Sequence, residues 1–480
     1  MIKTQTEKIK NSGQIYTPNF IVNNMLNIVG YYDNNVLEKN IIDNSCGDGA
    51  FLIEIVRRYC RAFYKKYGKN SNKILKKHLE KYIHGIEIQK EEKEKCVFNL
   101  DCEIGIFGLS DVKWDVICAD ALSVDSYNGK MDFVVGNPPY VRVHNLNENY
   151  EKVKRYKFAQ NGMTDLYIVF FEIGFKMLNK YGKMCLITPS SYLKSNAGLE
   201  LRKYIFENKN LTKVIDLEHF QPFDATTYTI ISLFEIGNSN HQIEYYTYDI
   251  TQKKAKRVEN LDYSEVFIGG KMYFSKKENL KLLKEIESYN DKNKANFDVK
   301  NGFATLADDV FINDFNFKDR TISVFKASTG KWHRCIFPYD EKGNPIGLEE
   351  LRRNSKLYDY LIKNKTRLEK RSLEKGSSWF LFGRTQGIKD VYKNKIAINT
   401  IIKNVNSIKL ETVPSGSGVY SGLYILSNLS LDEIKKNIRN NDFLEYIKLL
   451  KNYKSGGYYT FSSSDLKKFL NYKLTKQRYE

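Results

Sequence analysis

Two hydrophobic periods alternate along the first half of the chain. Short apolar runs predict strands at 40–43, 82–87, 114–119, 131–136, 183–188, 213–217, 228–235 and 242–248. Between several of them the apolar positions recur at helical spacing, which predicts helices at 18–29, 50–66, 90–100, 164–179 and 198–207. Strand–helix alternation of this kind implies a doubly wound α/β sheet with ligands at the carboxyl ends of its strands. The lysine-rich stretch ahead of the strand at 82–87 reads as a surface insertion. After about Asp249 the alternation fades. The run 251–257, with Lys253, Lys254, Lys256 and Arg257, is polar and basic and reads as a linker. Beyond it come irregular strands, glycine-rich turns such as Ser415-Gly416-Ser417-Gly418 and Ser455-Gly456-Gly457, and many basic and aromatic residues.

Composition narrows the class. A length of 480 residues is too great for one core and suggests two or three domains. A hydrophobic content of 42% excludes a disordered chain. The formal net charge of +19 favours a polyanionic partner, although lysine is abundant throughout. The seven cysteines are scattered without a C-x-x-C pair, and the six histidines show no H-E-x-x-H spacing. Neither a disulfide framework nor a metal site is therefore indicated. No apolar run approaches a membrane span and the start Met1-Ile2-Lys3-Thr4 lacks a signal region, so the expected setting is cytoplasmic with no membrane partner.

Candidate chemistry concentrates at strand ends. The run 131–136 is followed by Asn137-Pro138-Pro139-Tyr140. Proline has no N–H, fixes its own φ and biases the residue before it towards extended backbone. The corner thus offers the Asn137 side-chain oxygen and the Pro138 carbonyl as acceptors, with Tyr140 beside them. That arrangement suits a flat substrate bearing an NH2 group: bonds to both hydrogens pull the nitrogen towards tetrahedral geometry, and the tyrosine stacks on the ring. A plain structural turn is the competing reading, since Asn-Pro and Pro-Pro are common loop punctuation.

Ahead of it, Asp43-Asn44-Ser45-Cys46-Gly47-Asp48-Gly49 joins a strand to a helix through small residues that let a ligand approach the backbone. It is neither G-x-G-x-x-G nor a G-K-[ST] phosphate loop. Asp43 there suits a cationic or amine-bearing ligand. Glu87, at the next strand end, is placed to accept from ribose hydroxyls. Asp120 is a third acid at the same edge. Each alone is more often a cap or a loop residue; three in succession before the Asn-Pro-Pro-Tyr corner is a much rarer coincidence.

The ordered set Gly13-Gln14-Ile15-Tyr16-Thr17-Pro18, Asp43-x-x-Cys46-Gly47-x-Gly49-x-Phe51, Gly85-Ile86-Glu87, Ala119-Asp120 and Gly136-Asn137-Pro138-Pro139-Tyr140 resembles the gamma-class (TaqI-type) adenine-N6 DNA methyltransferases of restriction–modification systems. The resemblance continues through Thr164-Asp165-Leu166-Tyr167, Thr188-Pro189-Ser190 and Phe223, covering roughly 12–248. More loosely it takes in 302–311 and Ser455-Gly456-Gly457-Tyr458. It implies a Rossmann-like methyltransferase sheet with helices on both faces at 1–249, and a mixed α+β DNA-recognition domain at 250–480. It implies S-adenosyl-L-methionine as cofactor, with Thr17 at its methionine end and Asp43, Ser45, Cys46, Gly47 and Gly49 around its amino-acid portion. Glu87 would hold the ribose, Ile88 would pack on the adenine and Asp120 would accept from its amino group. Asn137, Pro138 and Tyr140 would be catalytic, with Asn137 also beside the cofactor, no metal, and a base extruded from the duplex. Tyr140 and Phe223 would stack on that base, with Phe220 a competitor for Phe223. Ala121 departs from the pattern, where relatives carry an aromatic.

Expected partners are double-stranded DNA and a separate cognate restriction endonuclease, and the expected state is a monomer. Arg352, Arg353, Arg367, Arg371 and Arg384 are candidates for phosphate or base contacts, unsorted by sequence. Other readings remain open here: an RNA adenine or protein glutamine methyltransferase, or a non-catalytic DNA-binding specificity protein. About a dozen residues precede Gly13, so an N-terminal nuclease is not expected.

Overall fold

Strand alternation and helix stripes build a nine-stranded sheet in the first half of the chain. The computed structural model describes residues 17–142, 150–223, 227–289, 297–313, 315, 317–373 and 376–479; the segment Gly13 to Tyr16 lies outside them. Strands β1 (Ile41–Asp43), β2 (Ile83–Glu87), β3 (Asp115–Cys118), β4 (Met131–Gly136), β5 (Leu178–Pro189), β6 (Leu211–Asp216), β7 (Thr229–Glu235), β8 (Gln242–Asp249) and β9 (Lys254–Asp262) lie in the order β3-β2-β1-β4-β5-β7-β6-β8-β9. The first five in that order are mutually parallel, and β7 enters antiparallel between β5 and β6. Strand order reverses at the β1/β4 boundary, the switch point at which such sheets open a crevice for ligands. Asp43 ends β1 and Asn137 follows β4, so the topology sets the two candidate motifs side by side.

The helices are α1 (Asn19–Val29), α2 (Ala50–Tyr67), α3 (Asn72–Tyr82), α4 (Lys90–Gly105), α5 (Leu166–Met177) and α6 (Leu199–Asn208). Successive strand residues point to opposite faces. Phe133, Val135, Cys185 and Ile187 join one cluster with Ile21 and Leu26 of α1, Leu52 and Ile55 of α2 and Cys96 of α4. Val134 and Met184, one step along the same strands, instead meet Gly174 of α5, where a Cβ would stand 2.3 Å from Met184 Sδ. Helices therefore cover both faces, as expected. In α1 the buried Ile21, Val22, Met25, Leu26 and Val29 form one stripe, and Gly30 ends the helix at φ 87°.

Two expectations are corrected. The lysine-rich stretch read as a surface insertion is packed into the fold: it holds α3, whose Leu75 and Leu79 are fully buried and which runs directly into β2. The basic run at 251–257 is no linker either. It forms the turn between β8 and β9 and the start of β9, which pairs with β8 along its whole length. Lysines on an edge strand deter further pairing, and that is the composition that reads as a break. The first compact unit accordingly extends to Lys281, and the second spans Leu282–Glu480, so the division falls beyond the expected 249/250.

The second unit is mixed α+β. Its four-stranded antiparallel sheet runs Phe297–Asn301, Leu423–Ser427, Lys395–Ile398, Leu410–Val413, and a three-stranded one runs Lys331–Ile336, Thr321–Lys326, Ser417–Tyr420. Phe303, Phe311, Phe337, Tyr339, Leu357, Leu361 and Phe382 form its core. Among the described residues no helix is long and apolar enough to cross a membrane.

Candidate active site

The turn after β1 is built to receive a ligand. Gly47 has φ 53° and nothing within 4 Å of where a Cβ would stand, so its backbone faces open space. Glu87 Oε2 accepts from Gly47 N at 2.9 Å and Oε1 from Gln89 N at 2.8 Å. Each carboxylate oxygen keeps a second lone pair, which is what a vicinal diol requires. Ile88, next along, is 57% exposed, an apolar surface beside that carboxylate. Ser45 Oγ is buried with no hydrogen-bond partner among the described residues, a polar atom that a ligand would satisfy. Cys46 is buried, and Gly49 heads α2 at φ 93°, where a Cβ would stand 2.8 Å from Cys96 Sγ.

Asp43 links this turn to the corner after β4. It is 2% exposed, and its Oδ1 accepts from Ser45 N at 3.1 Å. Burial pushes its carboxyl up to about 7; the Ser45 N–H draws it back, and the neighbouring Glu87 raises it further. A Cβ on Gly136 would stand 2.7 Å from Asp43 Oδ1, so only glycine fits between that carboxylate and the strand end. A buried carboxylate next to a second acid suits a cationic group brought in by a ligand. S-adenosylmethionine fits this set of acceptors and surfaces: an ammonium for Asp43, a ribose diol for Glu87 and an adenine ring for Ile88.

Asn137 and Thr17 meet although 120 residues apart: Asn137 Nδ2 donates to Thr17 Oγ1 at 3.2 Å. Among the described residues no hydrogen bond reaches the Pro138 carbonyl. Tyr140 donates its hydroxyl to Ile187 O at 3.1 Å, which pins the ring, and burial pushes that hydroxyl well above its ordinary value. The remaining motifs surround it. Tyr167 stands edge-on to Tyr140 at 6.2 Å and shares a hydrogen bond with Ser191 at 2.8 Å.

Phe223 also stands edge-on to Tyr140, with centroids 6.5 Å apart and planes at 74°. The two rings adjoin one another edge to face and do not form a parallel slot. Phe220 is engaged elsewhere, stacked on Tyr248 at 5.2 Å and 13° and close to Phe20. Asp120 lies at the same sheet edge but is doubly used: Oδ1 caps a short turn by accepting from Leu122 N at 3.0 Å, and Oδ2 pairs with Lys152 Nζ at 3.0 Å. Nothing in the spacing of the sequence marks Lys152. Nor does it mark the contact between Asp43 and Gly136, which pairing of β1 with β4 creates.

In the second unit the five arginines separate. Arg371 is buried and donates to the carbonyls of Leu368, Thr305 and Trp379, so it braces a loop and is withdrawn from any partner. Arg352 pairs with Glu349 and Arg367 with Asp309. Arg353 and Arg384 are exposed and have no acidic partner among the described residues.

A doubly wound sheet with a glycine turn, successive acids and a proline corner at its switch point is the arrangement of an S-adenosylmethionine-dependent methyltransferase. Residues 28–223 match the family described as Eco57I restriction-modification methylase. The chain is 26% identical over 420 residues to the Type II methyltransferase M.BstVI of Geobacillus stearothermophilus, covering 77% of this chain and 73% of that one. It is 24% identical over 524 residues to the Type II restriction enzyme and methyltransferase RM.Eco57I of Escherichia coli, covering 86% of this chain and 52% of that one. The fold resembles that of the Type IIL restriction-modification enzyme MmeI solved in complex with DNA, with TM-score 0.62 and 14% identity, over 96% of this chain and 64% of that one. The chain thus spans about half to three quarters of these relatives. The resemblance carried by its motifs is borne out: over residues 28–223 and beyond, the chain is similar to restriction–modification methyltransferases.

Proposed function

We propose that the chain is a site-specific DNA adenine-N6 methyltransferase, the modification enzyme of a restriction–modification system, acting as a monomer on one strand at a time. The observation that carries this reading is the junction at the β1/β4 switch point. There the Asp43 carboxylate abuts Gly136, and Asn137 bonds to Thr17. A ligand seated on the glycine turn lies against the corner that receives the amine.

S-adenosylmethionine supplies an electrophilic methyl group when bound. Asp43 would hold its ammonium, Glu87 its ribose and Ile88 its adenine; Asp120, whose oxygens each keep a second lone pair beside Leu122 N and Lys152 Nζ, would accept from the adenine amine. The Asn137 amide donates to Thr17 Oγ1, and its carbonyl oxygen is the end chemically suited to accept from an amine. With the Pro138 carbonyl it accepts both amine hydrogens and turns the nitrogen lone pair towards the methyl. Tyr140, pinned through Ile187, stacks on the extruded base, and Phe223 closes the pocket from its edge. The product cation is strongly acidic, so alignment and electrostatics suffice without a strong general base. The basic character of the chain and the MmeI–DNA likeness support a duplex as the partner.

Incubation with labelled donor and DNA, RNA or a glutamine-bearing release factor tests the reading. Label in DNA adenine at a defined sequence is the expected result. Label in RNA or protein alone overturns it.

A further inference from the structure

Loops of the second unit meet around a cleft of about 670 Å³ whose lining includes Asn301, Gly302, Gln386, Thr400, Ser421 and Tyr458. The two tail segments marked by the sequence, 302–311 and 455–458, both reach it. Its frame is stiff. The Asn399 amide donates to Ile401 O and Ser407 O and accepts from Lys409 N, while Lys409 Nζ donates to Ser328 O at 2.8 Å. Arg371 grips Thr305 O, and Ala304 pairs with Arg384 through the backbone.

On this frame several side chains are unengaged. Asn301 and Gln386 are exposed, and neither amide, nor the hydroxyls of Thr400, Ser421 and Tyr458, has a hydrogen-bond partner among the described residues. Arg384 beside them reaches only the neighbouring Gly383 carbonyl, at 3.3 Å. Lys403 Nζ lies 5.6 Å from the Tyr458 ring centroid. Among the described residues no carboxylate lines the cleft, although the chain carries 57 acidic residues. Single exposed amides are ordinary surface. Amides and hydroxyls converging on a rigid, acid-free, cation-flanked cleft match the donor–acceptor edges of base pairs, where Asn and Gln suit adenine and Arg suits guanine.

We propose that this cleft reads base edges of the target duplex, with Gln386 and Asn301 as amide readers and Arg384 as a bidentate reader at its lip; Lys403 and Tyr458 hold the adjoining backbone. The inference rests on the DNA reading above and adds the residues that set its sequence preference.

The test is modified-base sequencing of DNA from a methylation-free host expressing the full chain or its Gln386→Ala, Gln386→Glu, Asn301→Ala or Arg384→Lys variant. The wild type defines the recognition sequence. Each amide truncation, and the charge-preserving Arg384→Lys, relaxes discrimination at one position by about ten- to a hundredfold. Gln386→Glu removes the amide donor and moves preference at that position towards cytosine. The Gln386, Asn301 and Arg384 side chains are exposed, so melting temperatures stay at the wild-type value. Variants that keep the wild-type sequence preference, with rates within about twofold, overturn this inference alone. Equal loss at every site with a shallower salt dependence also overturns it, since that is the behaviour of phosphate contacts. A wild type that leaves DNA unmodified removes the DNA reading, and this inference with it.

Discussion

Replacing Asp43 with Asn should stabilise the cofactor-free protein while removing its ability to hold the cofactor. The carboxyl is 2% exposed and titrates at about 7 in place of 3.8. The unfolded chain gives up this proton near pH 4 and the native chain near pH 7, so between those values the native state binds the extra proton and stability falls as pH rises. Above pH 7 the full cost of an ionised, buried carboxylate is present. A shift of about three units corresponds to roughly 4 kcal/mol at pH 8, about 2 kcal/mol at pH 5 and almost nothing at pH 3. Asparagine keeps the acceptor for Ser45 N and the shape against Gly136, so the substitution removes mainly the charge. Scanning calorimetry should show the variant melting higher at pH 8, by on the order of 8 °C, with the gap shrinking by about half at pH 5. In the wild type, cofactor affinity should fall about tenfold from pH 8 to pH 6 as Asp43 protonates, whereas the variant binds weakly at both. A stability gap independent of pH, or a variant less stable at pH 8, would refute the assignment of a buried, titrating Asp43.

Asn137→Ala should lower methyl transfer by a factor of about a hundred or more with cofactor affinity in titration calorimetry nearly unchanged; full retained activity would contradict the acceptor role. Phe220 and Phe223 should part company. Phe220→Ala loses its stack on Tyr248 and costs about 2 kcal/mol in denaturant unfolding, while Phe223→Ala slows transfer roughly tenfold or more because the edge contact that confines the base is lost. Equal effects of the two on rate would reverse that distinction. Arg371→Ala strands three carbonyls and should destabilise the second unit by about 3 kcal/mol, whereas Arg384→Ala leaves melting unchanged and relaxes sequence preference at one position; a stable Arg371→Ala variant would count against its bracing role.

Strand periodicity was legible because it is local. The strands at 131–136 and 242–249 were expected within a residue of where they occur, since a short apolar run in the first and alternation in the second are written into neighbouring side chains. β9 was missed for the converse reason: an edge strand has one pairing partner and carries charge against another, so its composition imitates a linker. Phe220 and Phe223 look alike in sequence, both aromatics at a loop before a strand. Only packing against Tyr248 and Phe20 tells them apart. The arginines behave likewise: the carbonyl of Thr305, 66 residues away, joins those of the nearby Leu368 and Trp379 in withdrawing Arg371, while Arg384 stays exposed.

The chain alone determined the class of fold, the motif order and the chemistry on offer: glycines where backbone must be bare, acids at strand ends, a proline corner with acceptors. Those properties belong to residue types and short-range geometry. The tertiary structure decided which of these groups meet. Pairing β1 with β4 brings Asp43 against Gly136, and the approach of α1 sets Thr17 on Asn137. Lys152 takes Asp120 by the same kind of long-range contact. Burial does the rest, because a carboxylate acquires a shifted proton affinity only when the surrounding fold has removed its water.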